Sequence, residues 1–219
     1  MNAPWRNLAA LAFRRELRSR DGLAAGLALV GTFLLLSVLS VETLDGSPRL
    51  AALVLWAPIL YGGIATVARG IEADHDRQTM PLLRALPCNL AAWGMARTAV
   101  AAVLVAALGA CTLVAADALF ALEVGAPLAA VVGLAALGVA TVGALAGGLA
   151  AQARGRSLLL PVLAVPVLAP LLQAGVGATL ELAAGPGGDV KVHLLVMGAY
   201  DAAALAVAWL LWPVVLEGD

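Results

Sequence analysis

Long apolar runs separated by short polar breaks organise this chain. Six such runs recur, at about residues 22–41, 50–68, 98–116, 127–151, 158–180 and 192–216. Each is close to the ~20 residues that a helix needs to cross the hydrocarbon core of a bilayer. They are too long and too continuous for strands, and the period-two alternation of a membrane β-barrel is absent. Helices also satisfy their own backbone groups where no water is at hand. The pattern predicts an all-α, polytopic membrane protein with six transmembrane helices. No segment repeats at a fixed period and no soluble region stands apart, so residues 1–219 read as a single membrane domain. The longest connection, residues 69–97, is too short for a domain but can hold one or two helices at the membrane surface.

Composition narrows the class. Hydrophobic residues make up 63% of the chain and charged residues 12%, with a mean hydropathy of +0.98. Soluble domains are roughly half apolar and about a quarter charged, so a soluble globular enzyme and a disordered chain are both excluded. The net charge of −1 offers no basic field for a nucleic acid. The placement of the cations predicts orientation. Five arginines precede the first run, Arg69, Arg77, Arg84 and Arg97 follow the second, and Arg154 and Arg156 follow the fourth, eleven in all on one side. The other side has only Arg49 and Lys191. By the positive-inside rule both termini are predicted to be cytoplasmic.

The start of the chain resembles the charged region of a signal peptide, but the first apolar run exceeds the ~7–15 residues of such peptides. Ala24, Ala25 and Gly26 also stand at its beginning rather than its end. It is read as a retained first span. Residues 1–21 before it are predicted to form an interfacial helix, with Trp5, Leu8, Ala9 and Ala12 on one side and Asn7, Arg14 and Arg18 opposite. Arginines so placed suit anionic headgroups.

Catalytic signatures are missing. There is no P-loop, and Lys191, the single lysine, is predicted to face outward. No HExxH, GxSxG or paired carboxylates fall within a span, so the chain is not expected to be an enzyme. Cys88 and Cys111 make no disulfide framework. Glu72, Asp74, His75 and Asp76 are too loose a group for a metal, and none is expected. His193, alone near a helix end, reads as a satisfied or solvated residue rather than a ligand.

Three features are candidates for function. In the 69–97 connection, Thr79, Leu82, Leu83 and Leu86 share one helical face, with Pro81 and Pro87 suited to its ends. That face can dock a cytoplasmic partner or rest on headgroups. Asp201 lies in the sixth run, where a carboxylate costs ~2.5–3.5 kcal/mol on insertion scales. It is expected to face the protein interior or a water-filled cavity, with Tyr200 or Thr141 as donors. Pro161, Pro166 and Pro170 remove donors from the fifth run and bend it. The spacings Gly22–Gly26 and Gly143–Gly147 allow close helix approach.

Several of these segments together resemble the haem exporter protein B (CcmB) family. Phe13-Arg-Arg-Glu-Leu-Arg18 is similar to its start, just before the first span. Arg69 and Asp74 stand in its cytoplasmic stretch, which Leu83 to Pro87 closes. Arg154-Gly155 is similar to its motif after the fourth span, and Pro166-Val-Leu-Ala-Pro170 to that in the fifth. Ala68 replaces a usual Glu, and Arg77, Gln78, Met80 and Pro81 depart from the usual sequence. The resemblance implies an ABC-2 exporter-like permease that couples ATP hydrolysis in a separate CcmA-like subunit to helix movement and to release of a haem chaperone. It implies CcmC- and CcmD-like partners in the bacterial inner membrane, a CcmE-like chaperone and a homodimer within the complex. ATP would sit in the partner, and haem would be cargo rather than a bound cofactor.

By the same resemblance, Arg14, Glu16 and Arg18 belong to an interfacial elbow, and Arg69, Glu72, Asp74, Asp76, Leu82, Leu83 and Leu86 to an ATPase-coupling segment. Arg154 and Gly155 mark a second cytoplasmic loop. From the residues themselves, Asp201 and Tyr200 with Pro166 and Pro170 are read as an intramembrane polar and gating group. The five tryptophans are scattered, unlike the haem-handling motif of CcmC-like proteins. The alternatives are an ABC-2 permease for a lipid, drug or polysaccharide, and a non-transporting membrane assembly scaffold.

Overall fold

The computed structural model describes residues 21–41, 48–76, 89–120, 125–152, 156–184 and 190–217. These form six helices and no strand: α1 (Asp21–Val41), α2 (Pro48–Asp76), α3 (Leu90–Phe120), α4 (Ala126–Gln152), α5 (Arg156–Ala183) and α6 (Lys191–Glu217). Five carry stretches long and apolar enough to cross a membrane: Ala52–Ile71, Leu90–Leu119, Ala126–Ala150, Ala164–Ala183 and Lys191–Leu216. In α1 the apolar stretch among the described residues is shorter, Gly26–Leu36.

The helices overrun the apolar runs on either side of the 69–97 connection. α2 continues through Arg69 and Glu72 to Asp76, and α3 begins at Leu90. Hydropathy marks where a helix leaves the lipid, not where its hydrogen bonding stops. The start of α3 is set by Asn89, whose side-chain carbonyl accepts from Ala92 N at 3.2 Å as an N-cap. Arg97, counted above with the connection's cations, is therefore a buried residue of α3. Residues 77–88, with Leu82, Leu83 and Leu86, lie outside the described residues, as do the elbow residues Arg14, Glu16 and Arg18 and the loop residues Arg154 and Gly155.

α4 is the axis of the bundle, packed against α2, α3, α5 and α6, while α1 lies outside against α2. Its composition explains this. Lipid removes the hydrophobic drive between helices, so association rests on close packing, and small residues allow the nearest approach. Ala135, Ala136, Ala140 and Ala144 of α4 are fully or almost fully buried. Larger side chains from the surrounding helices fill the spaces between: Leu55 and Ile59 of α2, Leu108 of α3, Leu168 and Leu171 of α5, and Met197 of α6. Of the five long apolar stretches, that of α6 is the least enclosed, with Leu195, Leu210 and Val214 on an exposed face.

Candidate functional site

Two tryptophans tie the outer helices together by the same device. In each case a Gly-x-x-x-Thr on one helix receives an indole from another. On α5, Thr179 Oγ1 donates to the Gly175 carbonyl at 2.9 Å. That leaves its oxygen to accept from Trp56 Nε1 of α2 at 3.0 Å. On α3, Thr98 Oγ1 donates to the Gly94 carbonyl at 3.0 Å and accepts from Trp212 Nε1 of α6 at 3.3 Å. Each indole lies where a side chain on the glycine would be: a Cβ on Gly175 would run into Trp56, and one on Gly94 into Trp212. Trp93 meets Trp212 edge-on, with ring centroids 6.3 Å apart. The clasps lie at opposite ends of the bundle, one at the end of α5 and the other near the end of α6.

α5 and α6 are also joined to each other at two levels. Near the α5 terminus, His193 Nε2 lies 3.1 Å from Glu181 Oε1, and Gly177 gives the imidazole room. Deeper in the span, Tyr200 Oη donates to the Val167 carbonyl at 2.8 Å. Pro166 and Pro170 flank this acceptor, both exposed. Neither proline has an N–H to give the helix.

Asp201, next to Tyr200, turns inward. It is 3% exposed, and a Cβ on Gly138 of α4 would stand 2.6 Å from its Oδ1. Leu171 of α5 presses on the same glycine. Both carboxyl oxygens are buried without a hydrogen-bond partner. The two expected donors are spent elsewhere: Tyr200 on Val167, and Thr141 on the Leu137 carbonyl of its own helix at 2.7 Å. The correction has a simple cause. Adjacent residues point about 100° apart around a helix, so Tyr200 cannot share the direction of Asp201. Thr141 reaches its own i−4 carbonyl more readily than a neighbouring helix.

The candidate residues thus divide. Tyr200, Asp201, Pro166 and Pro170 gather where α5 and α6 meet the axis helix. Arg69 is exposed on α2, and Glu72, Asp74 and Asp76 continue that helix. Gly26 approaches Gly62 and Thr66 of α2, whereas a Cβ on Gly143 would meet Val67 at an ordinary 3.5 Å. Among the described residues no three of His, Cys, Asp or Glu come together as a metal group, and Cys111 is a free, exposed thiol. The clasps were not singled out from the sequence. Their signal was a glycine four residues before a threonine, at 94–98 and 175–179.

Residues 6–217 match the family model for the CcmB protein, nearly the whole chain. The chain belongs to the CcmB family. Proteins of this family are the membrane component of a haem exporter ABC transporter in cytochrome c maturation, associated with the other transporter components of that system. No curated protein matches the chain. Family membership and the five long apolar helices make it a multi-pass membrane protein.

Proposed function

We propose that this CcmB-family chain couples ATP hydrolysis in a separate CcmA-like subunit to movement of its own helices, and so drives release of a haem-loaded CcmE-like chaperone. It acts as a homodimer beside CcmC- and CcmD-like proteins in the bacterial inner membrane. It has six spans and both termini in the cytoplasm, and performs no ATP chemistry itself. The family match over residues 6–217 carries this reading. The geometry supports a route for the coupling. α2 and α3 bracket the segment on which the ATPase acts. Each leads to one clasp, α2 through Trp56 to α5 and α3 through Trp212 to α6. Displacement of the segment is passed by two continuous helices to the pair that holds Tyr200 and Asp201. A buried carboxyl without a donor is costly where it stands, so Asp201 favours an arrangement of α4 and α6 that gives it a partner or water.

The test is a haem stain of membrane proteins from a strain lacking this gene, beside one carrying a plasmid copy. Covalent haem bands lost in the deletion and restored by the plasmid are expected. Intact c-type cytochromes overturn the reading. A second experiment addresses the partner: replacing Leu82, Leu83 and Leu86 with Asp is expected to abolish co-purification of the ATPase subunit, and intact co-purification refutes the docking role of that segment.

A further inference from the structure

Three carboxyl groups fall within the long apolar stretches: Asp117, Glu181 and Asp201. Asp117 is exposed, and Glu181 has His193 beside it at 3.1 Å. Asp201 is the one of the three that is buried with neither oxygen hydrogen-bonded. It rests on the bare backbone of Gly138, so close that a Cβ there would stand 2.6 Å from Oδ1. No water fits between the carboxyl and α4 at that point.

No counter-charge faces it either. α4 carries no titratable residue from Ala126 to Gln152. α5, which reaches the same glycine through Leu171, carries only Arg156 and Glu181, about 22 and 15 Å along the helix from Leu171 at ~1.5 Å per residue. On α6, Tyr200 is committed to the Val167 carbonyl and His193 to Glu181, while Lys191 and Glu217 stand at the two ends. α3 also packs on α6. Its Arg97 adjoins Thr98, which is bonded to Trp212, about 16 Å along α6 from Asp201, and its Cys111 and Asp117 are exposed. A carboxylate at Asp201 would be an ion without cation, donor or water. The acid form has no net charge, and burying it unpaired costs far less than burying the bare ion.

We propose that Asp201 is a proton-binding site. In this arrangement of the helices it is a neutral carboxylic acid, and it releases its proton only when α4 and α6 part and water reaches it. The step transfers one proton between the carboxyl and water, and no other bond forms or breaks. Once released, the proton leaves an ion that opposes return to the closed packing, so proton occupancy and the α4–α6 contact are linked. The inference stands apart from the transport reading, since it needs only the dryness of the site, and the haem stain and the measurement below can fail independently.

The experiment is infrared spectroscopy of the full chain with its co-purifying subunits in nanodiscs, at about pH 8, some four units above the ordinary aspartate range. The probe is the carbonyl stretch of a protonated carboxyl, with ¹³C-carboxyl aspartate introduced to separate aspartic from glutamic acid. An acid band that shifts with the labelled aspartate is expected. It should be lost in Asp201→Asn, unchanged in Asp117→Asn, and abolished when the complex is denatured at the same pH. Should Asp201→Asn not fold, Asp201→Glu is expected to keep an acid band that no longer answers to labelled aspartate. The absence of an aspartic acid band in the folded complex overturns the proposal. So does a band unchanged in a folded Asp201→Asn variant, or one that survives denaturation.

Discussion

Asp201 is a residue whose place in the structure works against stability. A buried polar group without a partner costs about 1–3 kcal/mol, and here both carboxyl oxygens are in that position. Asp201→Asn keeps the shape and removes the ionisable carboxyl from the buried position. It is expected to raise the thermal midpoint of the purified protein, by an amount corresponding to about 1–3 kcal/mol, while lowering the yield of covalent haem in cells. Raised stability with undiminished haem attachment would make Asp201 merely structural. The residue stood out in the sequence because an ionisable group in an apolar run is conspicuous. Its lack of a partner did not, because that depends on the angle at which Tyr200 leaves the helix and on the preference of Thr141 for its own backbone.

At the scale of elements, the clasps hold the bundle by contact between a ring and a bare backbone. Gly94→Ala and Gly175→Ala each place a methyl group where an indole lies. Both are expected to destabilise by about 1–3 kcal/mol, the usual cost of overpacking, in unfolding from lipid or detergent. Gly31 and Gly198 also sit in helices but have open space around the Cβ position. Gly31→Ala and Gly198→Ala should be neutral or stabilising, by up to about 1 kcal/mol. Equal effects at all four positions would mean that helix propensity, not the clasps, sets the response. Helix existence was legible from run length alone. The ends were not: α2 and α3 extend through charged residues, because a carboxylate or guanidinium leaves the lipid without leaving the helix. The clasps stayed hidden because each pairs residues more than a hundred positions apart.

For the whole molecule, the sequence read correctly as all-helical and membrane-embedded, since a chain with 63% hydrophobic residues has no other solvent. Which helix forms the axis could not be read that way. All six runs are apolar, and only the combined density of alanine and glycine in α4 distinguishes the one that four neighbours share. Orientation is a property of the whole chain, and the eleven-to-two division of cations makes a prediction. Alkaline phosphatase joined within residues 185–189 should be active, and joined after Asp219 inactive. The reverse pattern would invert the bundle and place the segment between α2 and α3 out of reach of a cytoplasmic ATPase.

The clasp between α3 and α6 joins residues 114 positions apart. Trp212 is made 114 residues after Thr98, so the cradle of Gly94 and Thr98 stays empty while the residues between them are made. A chain stalled or truncated before Trp212 keeps an unfilled notch on the flank of α3, with the Thr98 hydroxyl oxygen lacking its indole donor. Closing that notch marks the point in synthesis at which α6 has joined the bundle, so the same hydrogen bond that ties α3 to α6 also orders their assembly.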